Sequence, residues 1–151
     1  MAERVDFELA TPERLFLTES VEMVVVPGTE GDFGVLSGHA PLISTIRPGA
    51  IAIYEGGRIA RRIFVNGGIA EVSPERCTVL AEAAEPTDGL DRAAIERELQ
   101  TLEGNLPLLR EEIARASEAE RERLLSELHS LERQAAIGRA KLQTLAEIER
   151  G

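Results

Sequence analysis

The chain has one cysteine, two histidines and no tryptophan among its 151 residues. The single thiol, Cys77, excludes an internal disulfide and a cysteine-rich zinc site. His39 and His129 leave little for a histidine-based metal centre. Basic residues are scarce as well: 17 Lys and Arg stand against 27 Asp and Glu, a formal net charge of −10. A dedicated nucleic-acid binder needs a basic surface to displace counterions from phosphates, so that class is excluded. No run approaches the ~20 apolar residues of a membrane-spanning helix. The first ten residues carry Glu3, Asp6 and Glu8, unlike the opening of a secretory signal. With 43% hydrophobic residues the composition is too apolar for a disordered chain. A soluble cytosolic protein of one ordinary domain or two small ones is expected.

What is present is unevenly distributed. All five aromatics (Phe7, Phe16, Phe33, Tyr54 and Phe64) precede residue 65, and residues 1–88 hold six of the seven prolines and nine of the thirteen glycines. That segment carries seven basic and fourteen acidic residues; the remainder, rich in Leu, Ala, Glu and Arg, carries ten and thirteen. Two physical regimes meet near Glu85-Pro86-Thr87-Asp88-Gly89.

The first segment reads as strands. Val5-Asp6-Phe7-Glu8-Leu9 alternates apolar and acidic residues, the period of a strand with one buried face. Val21 to Val26 is β-branched and stops at the turn pair Pro27-Gly28. Ala50–Tyr54 and Arg58–Val65 flank Glu55-Gly56-Gly57, a hairpin signal because primed turns need positive φ. Asn66-Gly67-Gly68 is a second turn signal leading into Ile69–Val72. Ser73-Pro74-Glu75 then turns the chain into Cys77–Ala81. Short strands at such intervals, with no room for crossover helices, predict a sandwich or barrel and not a parallel sheet.

The second segment reads as helices. Ile95, Leu99, Leu102, Leu106, Leu109 and Ile113 recur at alternating steps of four and three, as do Leu124, Leu128, Leu131, Ala135, Gly138, Leu142 and Leu145. Each series is an apolar stripe along one helix face. Ser117-x-x-Glu120 has capping-box spacing and predicts the start of the second helix. Pro107 lacks a donor and should kink the first helix, with the face preserved because the rhythm runs on through it. Gly138 on the stripe would let another backbone approach. An antiparallel hairpin of about 25–30 residues per helix, roughly 40 Å long, is expected.

No catalytic constellation assembles from these parts. Gly28, Gly31 and Gly34 lack the spacing and the Lys-Ser/Thr of a phosphate loop, and Glu30 and Asp32 would repel phosphate, so a turn-rich connection is expected there. His39 reads as a structural or contact residue and His129 as a solvated helix position. Cys77 reads as a small strand or core residue, since its basic neighbour Arg76 comes with no catalytic partner. Ser44 and Ser73 lack a nucleophile-elbow context. Glu71, Glu75 and Glu82 are the remaining carboxylates for an enzyme reading, and they fall on separate strand edges. Glu and Arg beyond residue 110 read as solvated helix faces. Neither a metal nor a cofactor is expected.

The run from Val24 through Pro27-Gly28-Thr29-Glu30-Gly31-Asp32-Phe33-Gly34 and Ser37-Gly38-His39-Ala40-Pro41 to Ile43 resembles the signature of the ε subunits of bacterial F-type ATP synthases. Arg47-Pro48-Gly49, Val65-Asn66-Gly67-Gly68 and Thr78-Val79-Leu80-Ala81-Glu82 match the same family in the same order. The resemblance spans the chain, specific over the first 85 or so residues and generic in the helical part; the mitochondrial δ subunit shares the architecture. It implies a β + α fold: a β-sandwich of about ten short strands over residues 1–86, then an antiparallel helical hairpin over 87–151. It further implies a rotor subunit, non-catalytic itself, whose sandwich docks on the γ subunit and the c-ring and couples c-ring rotation to ATP synthesis. Glu30, Gly31, Asp32 and His39 become the expected c-ring contact. The hairpin becomes a regulator of ATP hydrolysis that meets the α/β catalytic subunits, with Arg121, Arg123, Arg133, Arg139 and Lys141 as contact positions. Some family members bind ATP through Ile/Leu-Asp-x-x-Arg-Ala. Here Leu90 and Asp91 are followed by Ala94 and Ile95 at the Arg and Ala positions, a degenerate form that argues against ATP as a ligand. The implied location is the cytoplasmic face of the bacterial inner membrane, held there through partners. The alternative reading is an independent sandwich-and-hairpin interaction module outside any ATPase.

Overall fold

The computed structural model describes residues 3–150 and divides between Gly89 and Leu90 into two compact units. The first unit is built from β1 (Val5–Thr11), β2 (Arg14–Val21), β3 (Met23–Gly28), β4 (Gly31–Val35), β5 (Leu42–Glu55), β6 (Arg58–Val72), β7 (Arg76–Ala81) and β8 (Ala84–Pro86), closed by a 3₁₀ turn over Thr87–Gly89. The strands lie in the order β2-β1-β7-β6-β5-β3-β4, with β8 added beside β6. The pairings are antiparallel except for β1 with β7, which run parallel because most of the unit's chain length separates them.

Alternation makes the core. Val5, Phe7 and Leu9 of β1 point inward with Val24 and Val26 of β3, Ile51 and Ile53 of β5, Ile63 and Val65 of β6, and Cys77 and Val79 of β7, all in one buried cluster. Two strands are far longer than expected, at 14 and 15 residues, and both bend. β6 pairs with β8 through Ile63–Val65 and with β7 from Gly68 onward, so it changes neighbours at Asn66–Gly68. Opposite that bend sit Ile46 to Gly49 of β5. The Gly67-Gly68 pair is therefore a strand bend and not the turn its composition suggests. Gly67 and Gly68 take φ of 98° and 147°, and a Cβ on Gly68 would collide with the Leu80 carbonyl oxygen. Among the described residues the unit has eight strands where about ten were expected, and the segments on either side of this bend are one strand.

Two other segments depart from expectation. β2 carries no clean alternation because a bulge opposite Leu9/Ala10 makes Phe16 the extra residue. The stretch after Gly28, expected as a connection, contains β4, in which Phe33 lies opposite Val26 and Val35 opposite Val24. The Glu55-Gly56-Gly57 hairpin forms as expected, with φ of 62° and 76° at its glycines. Glu22 locks it by accepting from the Gly56 and Gly57 amides at 3.0 and 3.2 Å. Glu55 in turn accepts from the Glu22 amide at 3.3 Å and the Arg4 guanidinium at 2.5 Å.

The second unit is α1 (Arg92–Arg115) and α2 (Glu118–Glu149), joined through Ala116 and Ser117. α1 runs unbroken past Pro107 and keeps one face toward its partner, with Leu102, Leu106, Leu109 and Ile113 buried. Ser117 is the N-cap of α2, but its hydroxyl makes no capping bond. Its carbonyl accepts from the Glu120 and Arg121 amides instead, so the capping-box expectation holds for position and not for chemistry. Gly138 faces the Leu99 side chain, 3.6 Å from where a Cβ would stand, and not a partner backbone. No described helix is long and apolar enough to cross a membrane.

Candidate docking surface

The acidic turn between β3 and β4 is held by two residues of β5, Thr45 and Arg47. Thr29 donates its amide to the Thr45 carbonyl at 3.0 Å, and the two hydroxyls lie 2.7 Å apart. Arg47 spans the base of the turn, one nitrogen 2.5 Å from the Gly28 carbonyl and the other 2.5 Å from the Asp32 carboxylate. Gly28 cannot carry a side chain there, since a Cβ would lie 2.7 Å from the Gly31 carbonyl. Gly31 itself takes a φ of 139° with open space around it. Glu30 is thus presented to solvent at the tip of a fixed projection. Sequence reasoning gave Arg47 no role of its own; an arginine just before the Pro48-Gly49 bend, facing a Pro-Gly turn with an aspartate, is the signal that was available.

His39 lies elsewhere. It belongs to the loop Leu36–Pro41, past the far end of β4, where Gly38 donates to the Pro74 carbonyl at 2.7 Å. Its Nδ1 is 2.7 Å from the Ala40 carbonyl, which makes this nitrogen the donor. β4 and the Gly68–Val72 run of β6 each interpose roughly 13 Å of extended chain between this loop and the acidic turn. The structure groups Glu30, Gly31 and Asp32 and sets His39 apart from them.

An apolar stripe crosses the outward face of the same unit. Leu15, Ala10, Leu80 and Ile69 are successive cross-strand partners on β2, β1, β7 and β6. Leu15, Leu80 and Ile69 are 56%, 58% and 49% exposed, too much for large aliphatic side chains on a finished surface. Beside them is an open hollow of about 520 Å³ floored by Gly68 and walled by Thr11, Pro12 and Glu82. The row does not stop at Ile69: its partner on β5 is Thr45, which holds Thr29 of the acidic turn. Apolar stripe and acidic projection are one continuous surface. Sequence reasoning missed the stripe, although Val79-Leu80 and Ile69-Ala70 place apolar residues on both faces of their strands.

The remaining candidates have ordinary structural surroundings. Asp91 is the N-cap of α1 and accepts from the Ala94 amide at 3.3 Å, so the aspartate of the degenerate nucleotide motif holds a helix end. Leu90 precedes it, half-buried. Arg139 pairs with Glu103 across the hairpin at 3.5 Å, Arg121 and Arg123 are exposed near the start of α2, Arg133 is exposed on α2, and Lys141 is half-buried. His129 is exposed, 3.7 Å from Glu132. Cys77 is wholly buried, and burial pushes its thiol up to about 12, which denies it a thiolate at neutral pH. Among the described residues no three potential ligands converge on a metal position.

Comparison with known proteins agrees on one group. Residues 4–87 match the model of the ATP synthase delta/epsilon chain β-sandwich domain. An ATP synthase epsilon chain of Rhodospirillum rubrum is 52% identical over 120 residues, covering 80% of this chain and 90% of that one. The epsilon chain of Chelativorans sp. (strain BNC1) is 39% identical over 132 residues, 87% and 96% of the two chains. Among solved structures, a chain of the Euglena gracilis mitochondrial ATP synthase superposes with a TM-score of 0.72 at 21% identity, covering 94% of this chain and 81% of that one, a likeness of fold.

Proposed function

The chain belongs to the family of ATP synthase delta/epsilon chains and is a subunit of that enzyme's central stalk; from this premise we propose that its two units divide the work, the sandwich docking it into the rotor and the hairpin regulating it. The observation that carries the reading is the continuous surface from Leu15 across Leu80 and Ile69 to Thr29 and Glu30. Its apolar part suits a permanent protein partner, the γ subunit, because a row of three half-exposed aliphatic side chains is the kind of apolar patch that a lasting interface covers. Its acidic projection suits the polar loops of the c-ring, with Glu30, Gly31 and Asp32 as the contact and His39 as a separate one. Through these contacts the subunit turns with the c-ring and passes proton-driven rotation to the catalytic α/β core, without a catalytic site of its own. It sits at the cytoplasmic face of the bacterial inner membrane and is held there by its partners. The hairpin carries Arg121, Arg123 and Arg133 toward acidic loops of the catalytic subunits and restrains ATP hydrolysis, with no nucleotide bound at Leu90-Asp91.

Leu80→Glu in the assembled enzyme tests the docking half. The variant chain alone should keep its thermal stability, because Leu80 points outward, yet it should be lost from the purified complex together with coupled ATP synthesis. Retention at wild-type stoichiometry would remove the stripe as a docking face. Deleting residues 90–151 should leave assembly intact and raise ATPase activity or leave it unchanged. Failure of that truncated chain to assemble would refute the division of labour.

A further inference from the structure

We infer that Arg47 is the positioning residue of the acidic turn: it engages the Asp32 carboxylate within the turn and leaves Glu30 as the one uncompensated charge offered to a partner. The clamp is a property of the free chain. That Glu30 meets the c-ring rests on the reading proposed above and deepens it, by choosing one carboxylate of the two.

The reach of Arg47 comes from the backbone. β3 and β5 pair at Val25 with Ala52 and again at Gly28 with Ile46, so residues 47–51 of β5 stand against only Val26 and Pro27. Arg47 opens this excess, where regular cross-strand pairing with β3 is suspended. Its Nη1 donates to the Gly28 carbonyl and its Nη2 to Oδ1 of Asp32, each at 2.5 Å. Those two acceptors bracket the turn, one just before Thr29 and the other just after Gly31, so the guanidinium closes it like a staple. A planar fork holds two acceptors in fixed geometry, which the single ammonium of a lysine does not. The tip needs such a staple, because Gly31 takes a φ of 139° with open space around it and gains nothing from packing. Thr29 is tied separately to Thr45, so the first residue of the turn stays in place without Arg47 and the tip alone is released.

Charge follows the geometry. Asp32 is compensated by Arg47, whereas Glu30 is exposed and makes no hydrogen bond or ion pair with any described residue. The excess negative charge of the turn therefore sits at Glu30. A partner that fits it carries a cation or an amide donor aimed at the tip, and Asp32 stays out of the contact.

The test has two arms. In the free full-length chain, the nitrogen-15 order parameters of the Glu30 and Gly31 amides should stand at about 0.85 and fall below about 0.6 in Arg47→Gln, with Arg47→Lys between them. Asp32→Asn should leave them high, since the asparagine oxygen still accepts from the guanidinium. In the second arm each variant chain is rebound to ATP synthase stripped of this subunit, at an ionic strength of about 0.15 M, which screens distant charges. Glu30→Gln and Arg47→Gln should weaken rebinding roughly three- to fivefold, and Asp32→Asn by less than about twofold. Glu30→Gln and Asp32→Asn each remove one negative charge, so the gap between them isolates the contact from general attraction. Unchanged order parameters in Arg47→Gln would overturn the clamp, whatever the rebinding shows. Equal weakening by Asp32→Asn and Glu30→Gln would overturn the choice of Glu30. Rebinding indifferent to all three variants, with the order parameters falling as expected, would sink the c-ring contact and leave the clamp standing.

Discussion

The sandwich and the hairpin bury apolar residues to different depths, and the difference explains their different conduct. In the sandwich, Val5, Phe7, Leu9, Ile51, Ile53 and Val79 are at 0% exposure within one cluster drawn from most of its strands. In the hairpin the α1 seam residues Leu102, Leu106, Leu109 and Ile113 keep 5–8% exposure, only Leu124 and Ala135 of α2 reach 1% and 0%, and the seam falls into two clusters. Strands from distant parts of the sequence enclose a side chain on every side. Two helices bury one stripe apiece and leave the flanks to solvent and to ion pairs worth little individually. The sandwich core is therefore one body of contacts, whereas the hairpin is held along a single seam.

The largest test of that contrast is a pair of core truncations. Phe7→Ala should cost the sandwich about 3–5 kcal/mol, while Leu106→Ala should cost the hairpin about 2 kcal/mol, because its open seam can collapse into the space. Urea titration checks both, with Tyr54 fluorescence reporting on the sandwich and far-ultraviolet helical signal on the hairpin. Equal costs would erase the distinction. A smaller effect of opposite sign sharpens it. Gly138→Ala should stabilise the hairpin by up to about 1 kcal/mol, since the new methyl would stand in ordinary contact with Leu99 and the helix loses its most flexible residue. Thermal melting of the helical signal would show the rise, and a fall would mean the groove beside Leu99 has no room.

The smallest effect is a pH dependence of the sandwich at one ion pair. The Arg4 guanidinium, hydrogen-bonded to Glu55, holds that carboxyl below the ordinary carboxylate range. A depressed folded-state pKa contributes stability above the unfolded value and loses it as pH falls through the folded one. The pair should therefore lose its contribution to the urea midpoint of the sandwich on acidification, and Glu55→Gln should flatten the acid slope slightly while leaving the hairpin's midpoint unaffected. An unchanged acid slope in the variant would show that the pair contributes nothing to it.

Legibility in the sequence followed the same division. The helices were readable nearly to their ends, because a 3/4 rhythm is a local property and needs no partner to be seen. The Glu55–Arg58 hairpin and the inward face of β1 were readable for the same reason, whereas the run Val21–Val26 divides at Glu22, leaving Val21 to β2 and Met23–Gly28 as β3. β2 was not, since the bulge at Phe16 breaks the two-residue period. β4 was not, since two glycines and an aspartate in five residues look like a turn until Val24 and Val26 are set opposite Val35 and Phe33. The acidic turn could be named from its residues, but its rigidity could not, because Arg47 reaches it from another strand. The apolar stripe could be found only after pairing: Leu15, Ala10, Leu80 and Ile69 are scattered through the sequence and become a row only in the sheet.

The bends in β5 and β6 carry a mechanical consequence. Stacked sheets held together by side chains alone can slip, because the contacts between them are short-ranged and non-directional. Here β5 and β6 run through the middle of one continuous hydrogen-bonded sheet, paired to each other on both sides of the bend. A sideways force applied at Leu80 is therefore delivered to β3 and β4 through an unbroken hydrogen-bonded ladder, and the two halves of the sheet turn as one body. That is stiffness against twist obtained from the hydrogen-bonded sheet itself.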